Sequence, residues 1–246
     1  MSCRNLLAAL AAVTGLLLAS AEPAAAFRLV PIEMEFAPTG RGATQVFRVE
    51  NDRNEPAAIE VRMMARAMEA DGADRLAPAD EEFVVFPEQI VLMPGESQSV
   101  RVQYVGKPAL EAERAYRLIA EQLPIDLGGG GAQGGQVRLL VRYVASVYVM
   151  PDGARPEVRV TGAGAVTEGG QRLVELTVEN AGTSHQILAG PRLTLSGPGG
   201  AITLEGDAVA ALSGENVLAG TRRRFLLPWP PDLGEGPVTA SLTLAQ

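Results

Sequence analysis

The sequence is nearly without cysteine, histidine and lysine. Cys3, His185 and Lys107 are the single representatives of their types, and Trp229 is the single tryptophan. One cysteine makes no disulfide framework within the chain. One histidine and one cysteine make no Cys/His metal cluster of the usual spacing, and no cofactor is expected. A serine hydrolase would have to use His185. Its neighbour Ser184 would point to the opposite face of an extended strand, and Asn180-Ala181-Gly182-Thr183-Ser184-His185 reads as a turn. The chain is therefore not expected to be an enzyme. Its net charge of -8 argues against a nucleic-acid partner.

Residues 1–26 carry a different kind of information. Arg4 precedes an apolar run from Leu6 to Ala19, and Ala24-Ala25-Ala26 offers the small residues of a cleavage site. A secretory signal cut before Phe27 is expected. The rival, an uncleaved anchor, needs a longer apolar run than one ending in Glu22-Pro23. Cys3 stands before the run rather than at a cleavage site, which argues against a lipoprotein. No stable membrane insertion is expected elsewhere in the chain.

The remainder reads as all-β. Short apolar runs alternate with Gly, Pro, Asn and Asp at the spacing of a β-sandwich. Candidate strands cover residues 28–35, 45–51, 57–67, 82–86, 98–104, 116–123 and 137–150. Residues 107–114 are compatible with a helical turn. Pro151-Asp152-Gly153-Ala154-Arg155-Pro156 suits a domain elbow, so residues 27–151 and 152–246 are expected to form two domains. Further strands are expected over 170–180, 192–196, 202–204, 224–227 and 239–244. Phe47-Arg48-Val49-Glu50-Asn51 and Leu176-Thr177-Val178-Glu179-Asn180 rhyme, as a repeated sandwich module would.

The segment from Gly128 to Met150 stands out. Glycines at 128–131, 134 and 135 open onto a β-type run that could hold about twice the five or six residues of a common strand. Gln136 and a strand follow the glycines, where a phosphate loop needs Lys-Ser or Lys-Thr and a helix. A long apolar strand is an aggregation hazard unless it is buried or its edge is reserved for a partner. Val137, Leu139 and Val141 alternate and so share one face. Arg138 and Arg142 share a face with Leu140, and Arg114 and Arg117 flank the start of the preceding strand. Such arginines could grip a carboxylate or make ordinary surface pairs with Glu113, Glu121 or Asp126. Trp229 in Pro228-Trp229-Pro230-Pro231 reads as a packed loop, and Tyr143 and Tyr148 as strand residues.

Several of these segments, in order, resemble the periplasmic chaperones of the chaperone–usher pilus pathway. They are Phe47-Arg48-Val49-Glu50-Asn51-Asp52, Phe86-Pro87, Met93-Pro94-Gly95-Glu96-Ser97-Gln98-Ser99-Val100-Arg101-Val102, Tyr116-Arg117-Leu118-Ile119-Ala120-Glu121-Gln122-Leu123-Pro124, and Tyr148-Val149-Met150-Pro151. The resemblance implies two immunoglobulin-like β-sandwiches in a boomerang arrangement and a location in the periplasm. It implies pilus or spore-coat-like subunits as cargo and an outer-membrane usher as second partner. The last strand of the first domain would complete a strand-deficient subunit, with Val137, Leu139 and Val141 filling its groove. A basic pair would bind the subunit's C-terminal carboxylate.

In the best-known branch those bases align near Glu33 and Ser146, neither of which is cationic here. The chain therefore resembles the archaic branch, with Arg117 as anchor, Arg114 as its partner and Arg142 as the alternative. The resemblance also implies an ion pair of Arg101 and Glu113 within a charged network between the domains. A cell-surface adhesion module of two closed sandwiches is the alternative function.

Overall fold

Alternation of apolar and polar residues writes the strands of this chain. The computed structural model describes residues 27–125 and 139–245. The expected signal at 1–26, the glycine run, Val137 and Arg138 lie outside the described residues.

Among the described residues, ten strands build a first lobe: β1 (Phe27–Val30), β2 (Glu33–Phe36), β3 (Thr44–Asn51), β4 (Ala57–Met68), β5 (Asp74–Pro78), β6 (Phe83–Phe86), β7 (Gln89–Leu92), β8 (Ser97–Tyr104), β9 (Arg114–Gln122) and β10 (Arg142–Val149). One sheet runs β1-β3-β8-β6; the other runs β2-β10-β9-β4-β5, with β7 also on β4. Their inward residues share one core that includes Phe27, Phe47, Val49, Ile59, Val61, Val100, Tyr116, Leu118 and Val147. In β3, Phe47 and Val49 are buried while the alternate residues Val46 and Arg48 are exposed.

The structure departs from the expected strands in particular places. The first one breaks at Pro31-Ile32, so that β1 pairs with β3 in one sheet and β2 pairs with β10 in the other. β5 and β7, on opposite halves of β4, are not expected from the sequence. The helical turn over 107–114 does not form. The long strand expected over 137–150 is shorter: among the described residues β10 begins at Arg142.

Eight strands build a second lobe: β11 (Val158–Glu168), β12 (Gln171–Asn180), β13 (Gln186–Ile187), β14 (Arg192–Gly197), β15 (Gly200–Leu204), β16 (Asn216–Val217), β17 (Arg222–Pro228) and β18 (Thr239–Thr243). Sheets β11-β12-β17 and β15-β14-β18 enclose a separate core around Leu176, Leu193, Leu195 and Phe225. Trp229 packs against this core, with the Arg172 guanidinium 4.2 Å from its ring centre.

The rhyme between the lobes has a structural basis. Asn51 and Asn180 each end a strand and are buried. Asn51 Nδ2 donates to the carbonyls of Glu55, Leu92 and Met93, at 2.9–3.2 Å. Asn180 Nδ2 donates to those of Ser184 and Val217, at 2.8 and 3.0 Å. In both lobes the side chain supplies the partners that the backbone loses where the ladder stops.

Candidate functional site

The outer face of the second sheet of the first lobe is set by β4, β9 and β10. Register brings Glu33, Ser146, Arg117 and Met64 into one row across four strands. Tyr116, Leu118 and Ala120 of β9 point into the core, so Arg117, between them, points outward. Its Nε donates to Asp74 Oδ2 at 2.8 Å and its Nη1 to Ser146 Oγ at 2.5 Å. The other oxygen of Asp74 accepts from Arg66 Nε at 2.6 Å. Two guanidinium groups therefore share one carboxylate, so among the described residues the hydrogen-bonded trio of Arg66, Arg117 and Asp74 carries one positive charge in excess. The Arg66 side chain is only 5% exposed, and its Nη1 is buried with no hydrogen-bond partner among the described residues. A buried unpaired donor is costly.

Several expected roles change here. Arg114 is not Arg117's partner: three residues away on an extended strand, it turns to the opposite face. There it pairs with Glu82 at 2.6 Å, the same carboxylate that accepts from the Tyr116 hydroxyl. Burial first, and then that hydrogen bond, push the Tyr116 phenol far above its ordinary range, so it remains a donor. The second guanidinium beside Arg117 is Arg66, which the sequence reading missed because its only cue is strand parity with Arg62 and Met64. Arg142 lies on the outward face of β10 opposite Glu121, four residues along the strand from Ser146.

β10 has an open edge. Parallel pairing with β2 covers Ser146 to Val149, and among the described residues no strand pairs with that edge from Arg142 to Ala145. An uncovered edge presents unpaired N–H and C=O groups to any incoming strand. Tyr143, Ala145, Val147 and Val149 form its core-facing column. Val141 and Leu139 continue that phase beyond the strand. Val141 is half buried against the lobe's own core, a departure from its expected freedom, whereas Leu139 is 65% exposed. The apolar column thus begins inside the lobe and runs out of it.

The two lobes meet beside this face. Tyr148, two residues from Ser146, stacks on His185 with ring centres 3.8 Å apart, and its hydroxyl accepts from Asn216 Nδ2 at 2.8 Å. Glu113 does not pair with Arg101. Its buried carboxylate accepts from His185 Nδ1 at 2.7 Å and from the His185 backbone N–H at 3.1 Å. Arg101 sits exposed on β8, in the other sheet, against Gln103. His185, read from the sequence as a turn residue, is thus the second-lobe half of an inter-lobe contact. His185→Ala leaves the buried Glu113 carboxylate without its side-chain donor, a loss of about 2–3 kcal/mol, or roughly 5–10 °C in a chain of this size. Arg101→Ala leaves the melting temperature within error of the parent. Thermal unfolding followed by circular dichroism checks both; the reverse ranking would restore the Arg101–Glu113 pair.

Residues 37–155 match the family of pili and flagellar-assembly chaperones, through its PapD N-terminal domain. The fold is also similar to that of solved pilus chaperones over most of the chain. A chain of the CsuC–CsuE chaperone–tip adhesion subunit pre-assembly complex, from the archaic chaperone–usher Csu pili of Acinetobacter baumannii, is similar with a TM-score of 0.58 and 16% identity, over 87% of this chain and 91% of that one. The class 5 fimbriae chaperone CfaA is similar with a TM-score of 0.55 and 13% identity, over 90% of this chain and 100% of its own. A chain of the Salmonella enterica SafA pilin complex with the SafB chaperone has a TM-score of 0.52 and 19% identity, covering 85% and 86% respectively. No curated protein sequence matches the chain. Among the described residues no group of His, Cys, Asp and Glu is placed to hold a metal ion.

Proposed function

We propose that this protein is a periplasmic pilus-assembly chaperone that stabilises strand-deficient subunits by lending them its β10 edge and then delivers them to an outer-membrane usher. The observation that carries this reading is the open edge of β10, continued by an exposed apolar column and lying beside a net-positive arginine cluster. Residues 27–151 form the strand-donating domain and residues 152–246 the second sandwich. A subunit lacking a strand exposes an apolar groove and unpaired backbone groups; pairing with β10 satisfies the backbone, and Val137, Leu139 and Val141 enter the groove. The subunit's terminal carboxylate docks on Arg117 and Arg66.

We assign the chaperone to the archaic-type branch. This rests on the neutral Ser146 and acidic Glu33 lying in one row with Arg117, so that the cation comes from β9 instead, and on the likeness to the Csu complex. The mechanism involves no catalysis: binding energy alone shields the subunit.

Co-expression in a periplasm with the strand-deficient secreted subunits encoded beside an usher tests the reading. A one-to-one complex, and subunit that degrades without the chaperone, are expected. A protein that purifies alone and leaves subunit yield unchanged is a closed adhesion module instead.

A further inference from the structure

The arginine cluster depends on Asp74, and Asp74 stands in a weak place. It is the first residue of β5, and among the described residues β5 is the outer strand of its sheet, bonded on one side only, to β4. Asp74 pairs with Met68 next to the β4–β5 turn. The end of an edge hairpin is where backbone hydrogen bonds open most readily. Yet this carboxylate has to hold Arg66 and Arg117 in one geometry, with an oxygen on each.

The turn is braced from the second lobe. Within itself it is closed by bonds from Glu69 N–H to the Ala73 carbonyl, Gly72 N–H to the Glu69 carbonyl, and Ala73 N–H to the Asp71 side chain, all at 2.9 Å. Across the lobes, the Arg224 backbone N–H donates to the Ala70 carbonyl at 2.7 Å, and Arg223 Nη2 donates to the Asp71 carbonyl at 3.2 Å. Arg223 is only 6% exposed. Its Nη1 reaches Glu215 at 2.5 Å and the Asn216 carbonyl at 3.0 Å, and its guanidinium lies over Phe225. Gly72 permits the approach. It has φ +90°, and a Cβ there would lie 2.0 Å from Arg223 Nη2. A buried arginine with this many directed contacts is a brace rather than a solvated surface charge.

The same arginine reaches the opposite side of the cluster. Asn216, whose carbonyl it holds, donates its side-chain amide to Tyr148, two residues along β10 from Ser146. Among the described residues, Ser146 and Asp74 hold Arg117. Arg223 therefore reaches both of Arg117's supports, each within a few residues of a contact it makes.

We propose that Arg223 is a positioning residue for carboxylate recognition: the second lobe, through Arg223 and the β4–β5 turn, keeps Asp74 and hence Arg117 and Arg66 set for a chain-terminal carboxylate. This rests on the carboxylate seat proposed above. It gives the second lobe a part in cargo capture although it lends no strand, because the seat forms fully only with both lobes docked.

The probe is a short N-acetylated peptide of alternating threonine and valine, fluorescently labelled, with either a free C-terminal carboxylate or a C-terminal amide. Affinities are read by anisotropy on the full chain. The parent protein prefers the acid by about ten-fold, the scale of one charge-assisted hydrogen bond. Arg223→Ala and, independently, Gly72→Ala reduce that preference to about two-fold or less, while affinity for the amide stays within about two-fold. Arg223→Lys recovers part of the preference, since one ammonium cannot serve both lobes as the fork does. Arg222→Ala, on the same strand but itself exposed and paired with Glu179, leaves it intact. Equal weakening of acid and amide would show a merely structural residue and overturn the proposal. Full preference retained in both variants would overturn it while sparing the seat. A parent protein indifferent to the carboxylate would remove the seat, and the positioning role with it.

Discussion

Replacing Val137, Leu139 and Val141 together by Ser abolishes subunit stabilisation. Burying an aliphatic side chain contributes about 1.5–3 kcal/mol. Val141 already spends part of its surface on the lobe's own core, whereas Leu139 is 65% exposed. Leu139 therefore carries its full share of the loss, about 1.5–3 kcal/mol, or at least one decade of affinity. Val141→Ser also weakens the first core, so the double variant Val137→Ser/Leu139→Ser is the cleaner lesion. It is expected to keep the parent melting temperature and still lose the subunit. Unchanged recovery of subunit in the double variant would mean that the groove is filled from the opposite face of β10, where Val144 stands partly exposed.

The second large effect belongs to Arg117. Arg117→Ala removes one of the two guanidinium groups on Asp74 and leaves a neutral Arg66–Asp74 pair where a net positive charge had been. A charge-assisted contact to a terminal carboxylate contributes about 1.5–3 kcal/mol, so capture falls more than about ten-fold. Arg117→Lys restores only part of it, because one ammonium cannot reproduce the fork that spans Asp74, Ser146 and a third oxygen. The terminal contact also sets the register in which the two strands pair, so the loss extends to side chains that still meet the groove. Arg142→Ala separates the candidates. Capture that survives without Arg117 and fails without Arg142 moves the anchor up the donor strand, and indifference to both variants would undermine the chaperone reading itself.

Both predictions start from residues named by the sequence, and both are reshaped by neighbours that the sequence did not name. Strand alternation alone marks Phe47 and Val49 as inward and Arg117 as outward. The rhyme ending in Asn51 and Asn180 is visible in the bare text because both asparagines perform the same local task, completing a ladder with a side chain. Strands β5 and β7 escaped notice for opposite reasons. β5, Asp-Arg-Leu-Ala-Pro, is too polar to look like a strand, since it forms an edge and buries little; β7 is apolar but only four residues long.

What the sequence by itself determined is what depends on neighbours along the chain: the all-β class, the phase of strands such as β3 and β9, and the scarcity of cysteine, histidine and lysine. What only the tertiary structure decided is who meets whom across the sheets. Arg66 joins Arg117 through Asp74, Arg114 goes instead to Glu82, and Glu113 finds His185, 72 residues away, rather than Arg101. Arg223 meets Asp71 across 152 residues. The physical reason is that alternation is a property of one strand and can be read within a few residues. The partner of a charged side chain is fixed by strand order, register and lobe docking, which depend on burial summed over the whole chain, and a long arginine can reach any of several carboxylates until the fold decides which of them lie beside it.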